Sequence, residues 1–396
     1  MTEANYFGTM LITGNGFDLN LKMKTSYKEF FLQLKSDGFW SMHKDNRLLS
    51  YIHEKGTMEY WYSFEEIIKE FALKSTESRV IVYYNRFLRD ANRIQDYDNS
   101  ILSTLSSYKT LEIYIPSVAE LIKLCDGKSI IDPELSEKAT FIVSKIKSEF
   151  AAYLAPITKE CNTAIDLLKE ELNKFIKKAR PEYGKYSAAA KILCALFGCD
   201  GPGAEAWNER LRNRYDELLE RHNLPRFRFV TFNYTDPCLW LMHVIKSIIT
   251  QPLMENISSM SERVYNIHGH VDENIAFGTD EDDNIPKELW TLRKCHYLET
   301  NTKAKFHQDL CNSKRIVIFG HSIQGIDYEY YKKFFSDKNN VCDIYILGHS
   351  KESLNEIKTT LELKGVSLPA KYIVAYEYDN DFCELCDIIN KEQSQA

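Results

Sequence analysis

Four stretches of this 396-residue chain place small or hydrogen-bonding residues directly behind a run of β-branched and aromatic ones. Gly14, Asn15, Gly16, Phe17 and Asp18 follow "TMLIT", and Asn233, Tyr234, Thr235 and Asp236 follow "RFRFVTF". His268 and Gly269 follow "RVYNI", and Gly320, His321 and Ser322 follow "RIVIF". A Gly-x-Gly turn lets the backbone approach a phosphate, with a helix start behind it that favours an anion, but it serves equally as a tight bend from strand to helix. An asparagine offers a donor and an acceptor together, and an imidazole exchanges a proton near neutral pH. Each stretch alone reads as a turn. If the runs are neighbouring parallel strands, all four face the crevice at the strands' carboxyl ends, where open α/β sheets bind their ligands.

The elements needed to position them are legible. "TMLIT" reads as a strand and "SYKEFFLQL" as a helix, with Ser26 and Glu29 at capping-box spacing; Ser63 and Glu66 repeat the device in "WYSFEEIIKEF". From there to about residue 222 the patterns are mostly helical, punctuated by Pro156, Pro181 and Pro202. Then the period changes. "RFRFVTFNYT", "RVYNIHG", "NIAFG", "KRIVIFG", "CDIYILG" and "KYIVAYEY" are strand-like, and three of them precede the helical "HSIQGIDYEYYKKFF", "HSKESLNEIKTTLELKG" and "NDFCELCDIINKE". Alternation of this kind predicts an α/β fold, Rossmann-like, with a mostly parallel sheet covered on both faces and a large helical insertion. Residues 1–24 with 224–396 form the expected nucleotide-binding domain, and residues 25–223 the insertion.

Composition narrows the classes. With 57 acidic against 50 basic residues the net charge is −7, which disfavours general nucleic-acid binding; the basic "NKFIKKARPEYGK" reads as a solvated helix end. No apolar run approaches the roughly 20 residues of a membrane span, no secretory signal opens the chain, and the ten cysteines are scattered, so the cytoplasm and reduced thiols are expected. His270, His296, His307 and His349 lack ligand-like spacing, and the acidic run Asp280 to Asp283 reads as a solvated loop, so no metal is expected. Counting about 20 residues on from the Gly-x-Gly turn reaches Asp37, which precedes no strand; an ordinary hydride-transfer Rossmann enzyme is thereby disfavoured.

"LITGNGFDLNLKMKTSYKEF", "WYSFEE", "VTFNYTDP", "IHG" with "IAFG", and "IVIFGHSIQGIDYEYY" resemble, in this order, the serial motifs of the AbiH family of bacteriophage abortive-infection proteins. At one remove, the order Gly-rich turn, Thr-x-Asn, His-Gly, Gly-x-Ser is similar to that of sirtuin-like NAD-consuming domains. The resemblance implies a sirtuin-like sheet, a defence function, and NAD as substrate. It implies Asn233 and His268 as the catalytic pair, with Gly14, Asn15, Gly16, Phe17, Asp18, Thr231, Thr235, Gly320, His321, Ser322 and Asp327 around the nucleotide. Thr235 stands where sirtuins carry an acid and Asp18 where they carry serine, and there is no pair of Cys-x-x-Cys motifs for a zinc module, which argues against a protein deacylase.

In NAD the nicotinamide is cationic and departs neutral, so its loss demands no general acid, unlike an ordinary glycoside. Asn233 would hold ribose hydroxyls or water, His268 would take a proton, Gly14 and Gly16 N–H groups would meet the pyrophosphate, and Ser322 would add a donor. Asp327 would orient His321 or cap its helix. Trp61 and Glu65 read as packing and capping, or as a wall over the ligand. The expected partners are NAD or a related nucleotide, a phage-derived trigger and further copies of the chain, with no membrane. Two other classes stay open: a nucleotide sensor that signals through the helical insertion without turnover, and a nuclease-like toxin, which the absence of paired metal-binding carboxylates at the strand ends disfavours.

Overall fold

The structure is a computed structural model describing residues 7–55, 64–75, 133–180, 188–196, 227–235, 264–270, 275–276, 278, 289, 292, 300–323, 327–337, 342–366, 369–375 and 379–395. Trp61, Ser63, Pro181, Pro202, Asp236, Asp280 to Asp283 and His296 lie outside the described residues.

Six strands form one sheet: β1 Phe7–Thr13, β2 Phe227–Thr231, β3 Val264–Asn266, β4 Ser313–Phe319, β5 Asp343–Gly348 and β6 Ala370–Val374. Every pairing is parallel and the order is β3-β2-β1-β4-β5-β6. Purely parallel strands are covered on both faces, so they appear as continuous apolar runs; in β4, six of seven residues are buried. The "NIAFG" run forms no strand at its described residues. Ile275 and Ala276 are buried, and the Ala276 N–H instead donates to the His268 carbonyl at 2.7 Å.

The handedness of parallel crossovers assigns the helices to faces. From β3 to β4, β4 to β5 and β5 to β6 the chain moves across the sheet in one sense, and the intervening helices pack on one face. α1 Asn15–Asn20, which follows β1, precedes a step in the opposite sense and lies on the other face. On that face Leu11, Phe229, Val317, Leu347 and Ile373 meet Phe17 of α1, the helix Ala188–Leu196, and Phe382, Leu385 and Ile389 of the helix Asn380–Gln395. On the opposite face Met10, Ile12, Val230, Ile316, Ile318, Ile344 and Ile346 meet three helices: Thr300–Cys311, Asp327–Ser336 and Lys351–Leu363. The alternation of Met10, Leu11 and Ile12 between the two cores is the period of two expected of a strand.

Contacts divide the chain into two compact units. The first, Met1–Phe30, Leu172–Ala276 and Tyr297–Ala396, holds the sheet. At the start of α2 Tyr27–Ser36 the capping box is formed: the Glu29 N–H donates to Ser26 Oγ at 3.2 Å, and the Ser26 N–H and hydroxyl both donate to Glu29 Oε2.

The second unit, Phe31–Glu171 and Phe277–His296, contains α3 Phe39–Met42, α4 Arg47–Lys55 and residues 64–75. Asn46 caps α4, accepting from the Leu49 N–H at 3.0 Å, while its Nδ2 donates to the Glu160 carbonyl at 2.9 Å. Trp40 stacks on His53 with ring centroids 5.3 Å apart.

α5 runs unbroken over Pro133–Lys178 with Pro156 inside it, where the sequence pattern suggests two helices. An interior proline forfeits one backbone hydrogen bond, at about 3 kcal/mol. The apolar stripe through Leu154, Ile157, Cys161, Ile165, Leu168 and Leu172, each nearly fully buried, outweighs that loss. The remaining helices are labelled in chain order: α6 Ala188–Leu196, α7 Thr300–Cys311, α8 Asp327–Ser336, α9 Lys351–Leu363 and α10 Asn380–Gln395. No described helix is long and apolar enough to cross a membrane.

Candidate functional site at the carboxyl ends of the strands

The strand order reverses between β1 and β4, and the turns leaving these two strands are fastened together. Gly14 N–H donates to the Phe319 carbonyl at 3.0 Å, Gly16 N–H to the Gly320 carbonyl at 2.9 Å, and Gly320 N–H to the Leu347 carbonyl at 2.8 Å. A side chain is excluded from all three glycines by backbone. A Cβ on Gly14 would lie 2.6 Å from the Gly320 oxygen, one on Gly16 2.7 Å from Gly320 Cα, and one on Gly320 2.5 Å from Gly16 Cα. Gly320 also has φ +61°, a left-handed conformation that suits glycine. The glycine pattern thus serves chain-to-chain approach. Its Gly14 and Gly16 N–H groups, expected to meet pyrophosphate, are already engaged.

The polar residues of the first turn are engaged as well. Asn15 Oδ1 accepts from the Thr25 hydroxyl at 2.8 Å. Asp18, wholly buried, accepts from the hydroxyl of Thr235, which follows β2. Phe17 turns into the core and meets Phe229 and Phe319 edge to face. These contacts brace the ends of β1 and β2 against each other.

At the end of β2, Thr231 Oγ1 accepts from the Asn233 N–H at 3.0 Å, a side-chain turn that swings the chain off the strand. Asn233 is buried, and its Nδ2 donates to the Gly14 carbonyl at 2.8 Å. Asn266 at the end of β3 donates to the Asn233 and Thr235 carbonyls at 3.5 and 3.3 Å. The amide plane of Asn233 is therefore tethered to β1 while its backbone is held from β3.

His268, buried just beyond β3, places Nε2 2.9 Å from Asp327 Oδ1, a close approach lying off the line of an aligned hydrogen bond. Asp327 is the first residue of α8. Phe232 lies between two histidines: His268 meets its ring edge-on at 5.4 Å, and His321 stacks on its face at 4.1 Å. Tyr331, one turn along α8 from Asp327, stacks on the same ring at 5.9 Å and is fully buried. Burial, then the charge of Asp327, pushes its hydroxyl far above the usual phenol range, so it stays a neutral phenol. Ser322 is exposed.

The sequence-derived residues thus separate into two groups. Asn15, Phe17, Asp18 and Thr235, with the three glycines, brace the turns. His268 and His321 flank Phe232 beyond β3 and β4, Asp327 meets His268 from the start of α8, and Asn233, next to Phe232 in the chain, holds its amide on the Gly14 carbonyl. Glu65, half-buried on residues 64–75, belongs to the second unit. Phe232 and Tyr331 escape sequence reasoning, since an aromatic residue next to a strand reads as core. The "TFNYT" spacing, with Phe232 between two residues of the site, is the one signal available for it. Among the described residues no group of three or more His, Cys, Asp or Glu is arranged to hold a metal ion.

The family model described as Bacteriophage abortive infection AbiH matches residues 10–347, from within β1 to within β5, and covers every residue named above at the strand ends. The chain belongs to the AbiH family. As an AbiH protein it is a phage abortive-infection defence protein. Searches of curated proteins and of solved structures returned no match.

Proposed function

We propose that this AbiH protein hydrolyses NAD⁺ to nicotinamide and ADP-ribose on infection, and that loss of the dinucleotide is the abortive step. The observation that carries the reading is a buried amide, Asn233, and a buried imidazole, His268, beyond neighbouring strand ends. Asn233 is tied to the Gly14 turn at the reversal of strand order, where sheets of this topology bind dinucleotides, and His268 lies beyond the edge strand β3. The sirtuin-like order of the motifs points to the same substrate.

Nicotinamide leaves neutral, so the protein has only to hold the ribose, stabilise an oxocarbenium-like transition state and deliver water. Asn233, fixed through Nδ2 to Gly14, presents its amide to a ribose hydroxyl or to the water. His268 takes the proton of the attacking water, help typically worth roughly 10²- to 10⁴-fold. Because Gly14 and Gly16 N–H are engaged, the pyrophosphate falls to groups above the turns, of which the exposed Ser322 hydroxyl is one. Unchecked hydrolysis would starve the host cell, so activity is held off, by oligomeric state, until a phage-derived trigger releases it.

Incubating purified protein with NAD⁺, with and without extract of infected cells, and chromatographing the mixture tests this. Equal release of nicotinamide and ADP-ribose is expected. Intact NAD⁺ in the presence of an extract from cells that the protein protects would overturn it.

A further inference from the structure

We infer that Asp327 is the positioning residue of His268: the carboxylate at the start of α8 selects the tautomer and orientation of the imidazole beyond β3. This rests on the hydrolase reading, in which His268 is the base. The oxygen-to-nitrogen approach is 2.9 Å, and both side chains are largely buried, at 5% and 16% exposure. A carboxylate beside one ring nitrogen favours the proton on that nitrogen, so Nε2 carries it and Nδ1 is left with the lone pair for the reacting water. It also stabilises the cation formed when the ring takes up a proton.

Both partners are held by rigid structure. Asp327 opens a helix anchored by buried Tyr328, Tyr330, Tyr331, Phe334 and Phe335. The His268 ring is packed edge-on against Phe232 and lies 6.4 Å from Tyr234, and its own carbonyl accepts from Ala276. The competing role for Asp327 is charge at a helix start, which would need an acid there but no imidazole. Glu329, exposed in the same turn, already supplies such an acid.

Asp327→Asn removes the charge that either role would use while keeping the shape, so the readout separates them: only a hold on the imidazole moves the tautomer of His268. Nitrogen NMR of ¹⁵N-histidine protein, with His268→Gln to assign the signal, reads the tautomer directly. The Nε2–H form is expected in the wild type, with a change toward Nδ1–H in Asp327→Asn. With NAD⁺, kcat should fall by at least about 10²-fold at little-changed KM and little-changed Tm, the pattern of a lost transition-state interaction. An unchanged tautomer, or an unchanged kcat in a folded Asp327→Asn protein, overturns the assignment. If the wild type leaves NAD⁺ intact under infection conditions, the hydrolase reading fails by itself. The tautomer then still decides: a change on substitution upholds the hold of Asp327 on His268, and no change removes it.

Discussion

Gly16 donates its backbone N–H to the carbonyl of Gly320 at 2.9 Å, joining the turn after the first strand to the turn after the fourth. Two peptide units approach closely enough there that neither residue can carry a side chain. A glycine pattern that reads as a phosphate loop is, in this chain, the clasp at the centre of the sheet. What it gives the site is position, since Asn233 hangs from the Gly14 carbonyl on the same turn.

That clasp predicts a stability hierarchy among glycines. Gly320 and Gly365 both have left-handed φ, 61° and 71°, but a Cβ at Gly365 meets nothing within 4 Å whereas one at Gly320 meets backbone at 2.5 Å. Gly365→Ala should cost about 1–2 kcal/mol from backbone strain alone. Gly320→Ala should cost roughly 1–3 kcal/mol more from overpacking. Urea denaturation compares them, and equal losses would mean that the turns separate freely.

The Thr235 hydroxyl that donates to buried Asp18 makes a second, graded prediction. Thr235→Val keeps the volume and removes the donor, so it should destabilise by about 1–3 kcal/mol. Thr235→Ser keeps the donor and loses one methyl, for about 1 kcal/mol. Thermal denaturation of the two variants decides whether the hydroxyl or the packing matters; valine as the milder change would refute the brace.

Much of this architecture is visible in the sequence, and the exceptions have physical causes. The strands announce themselves because a doubly covered parallel strand must be apolar on both faces, as "RIVIF" is. Helix α7 does not, since Phe306 and Leu310 are its only described apolar side chains that are buried and its periodicity is faint. Helix α6, "AAAKILCAL", lies inside the helical run by pattern, yet Ala188, Ala189 and Ala195 pack against the sheet core, a partnership that no local signal encodes. At the site, residue types mark Asn233 and His268. The partner of Asp327 depends on how α8 crosses the sheet, and the ring it meets is His268, where sequence alone offered His321 or a helix cap.

Titration of Asp309 offers a test of burial against pairing. Burial raises its carboxyl above the ordinary 3.8, opposed by Arg228 at 3.1 Å and the Tyr265 hydroxyl at 3.0 Å. The folded state therefore binds this proton more tightly than the unfolded state. The resulting stabilisation is complete below the ordinary value and is lost as pH rises through the raised one. As pH rises above the ordinary 3.8 and through the raised value, the wild type should lose stability relative to Asp309→Asn. Denaturation midpoints across that range measure it, and a wild type that instead gains on the variant would show the Arg228 pair prevailing over burial.

The last prediction separates an enzyme from a nucleotide sensor. If Asn233 and His268 act on the transition state, Asn233→Ala and His268→Ala keep most of the NAD⁺ affinity and lose turnover, because only interactions stronger in the transition state accelerate the step. Asn233→Ala carries a structural cost too: it deprives the Gly14 carbonyl of its amide donor, worth about 1–3 kcal/mol, so its Tm without ligand should fall below that of the wild type. Affinity must therefore be read as the rise in Tm on adding ligand, not as Tm itself. Ligand at about 100 times its Kd stabilises the folded state by roughly 2.7 kcal/mol, and the inactive variants cannot consume it during the scan. A sensor behaves otherwise: wild type and variants all leave NAD⁺ intact, and the ligand-induced rise shrinks in the variants because the residues make only binding contacts. Full turnover in both variants would remove Asn233 and His268 from the mechanism. A full ligand-induced rise with turnover abolished is the combination that the enzyme reading requires and the sensor cannot produce.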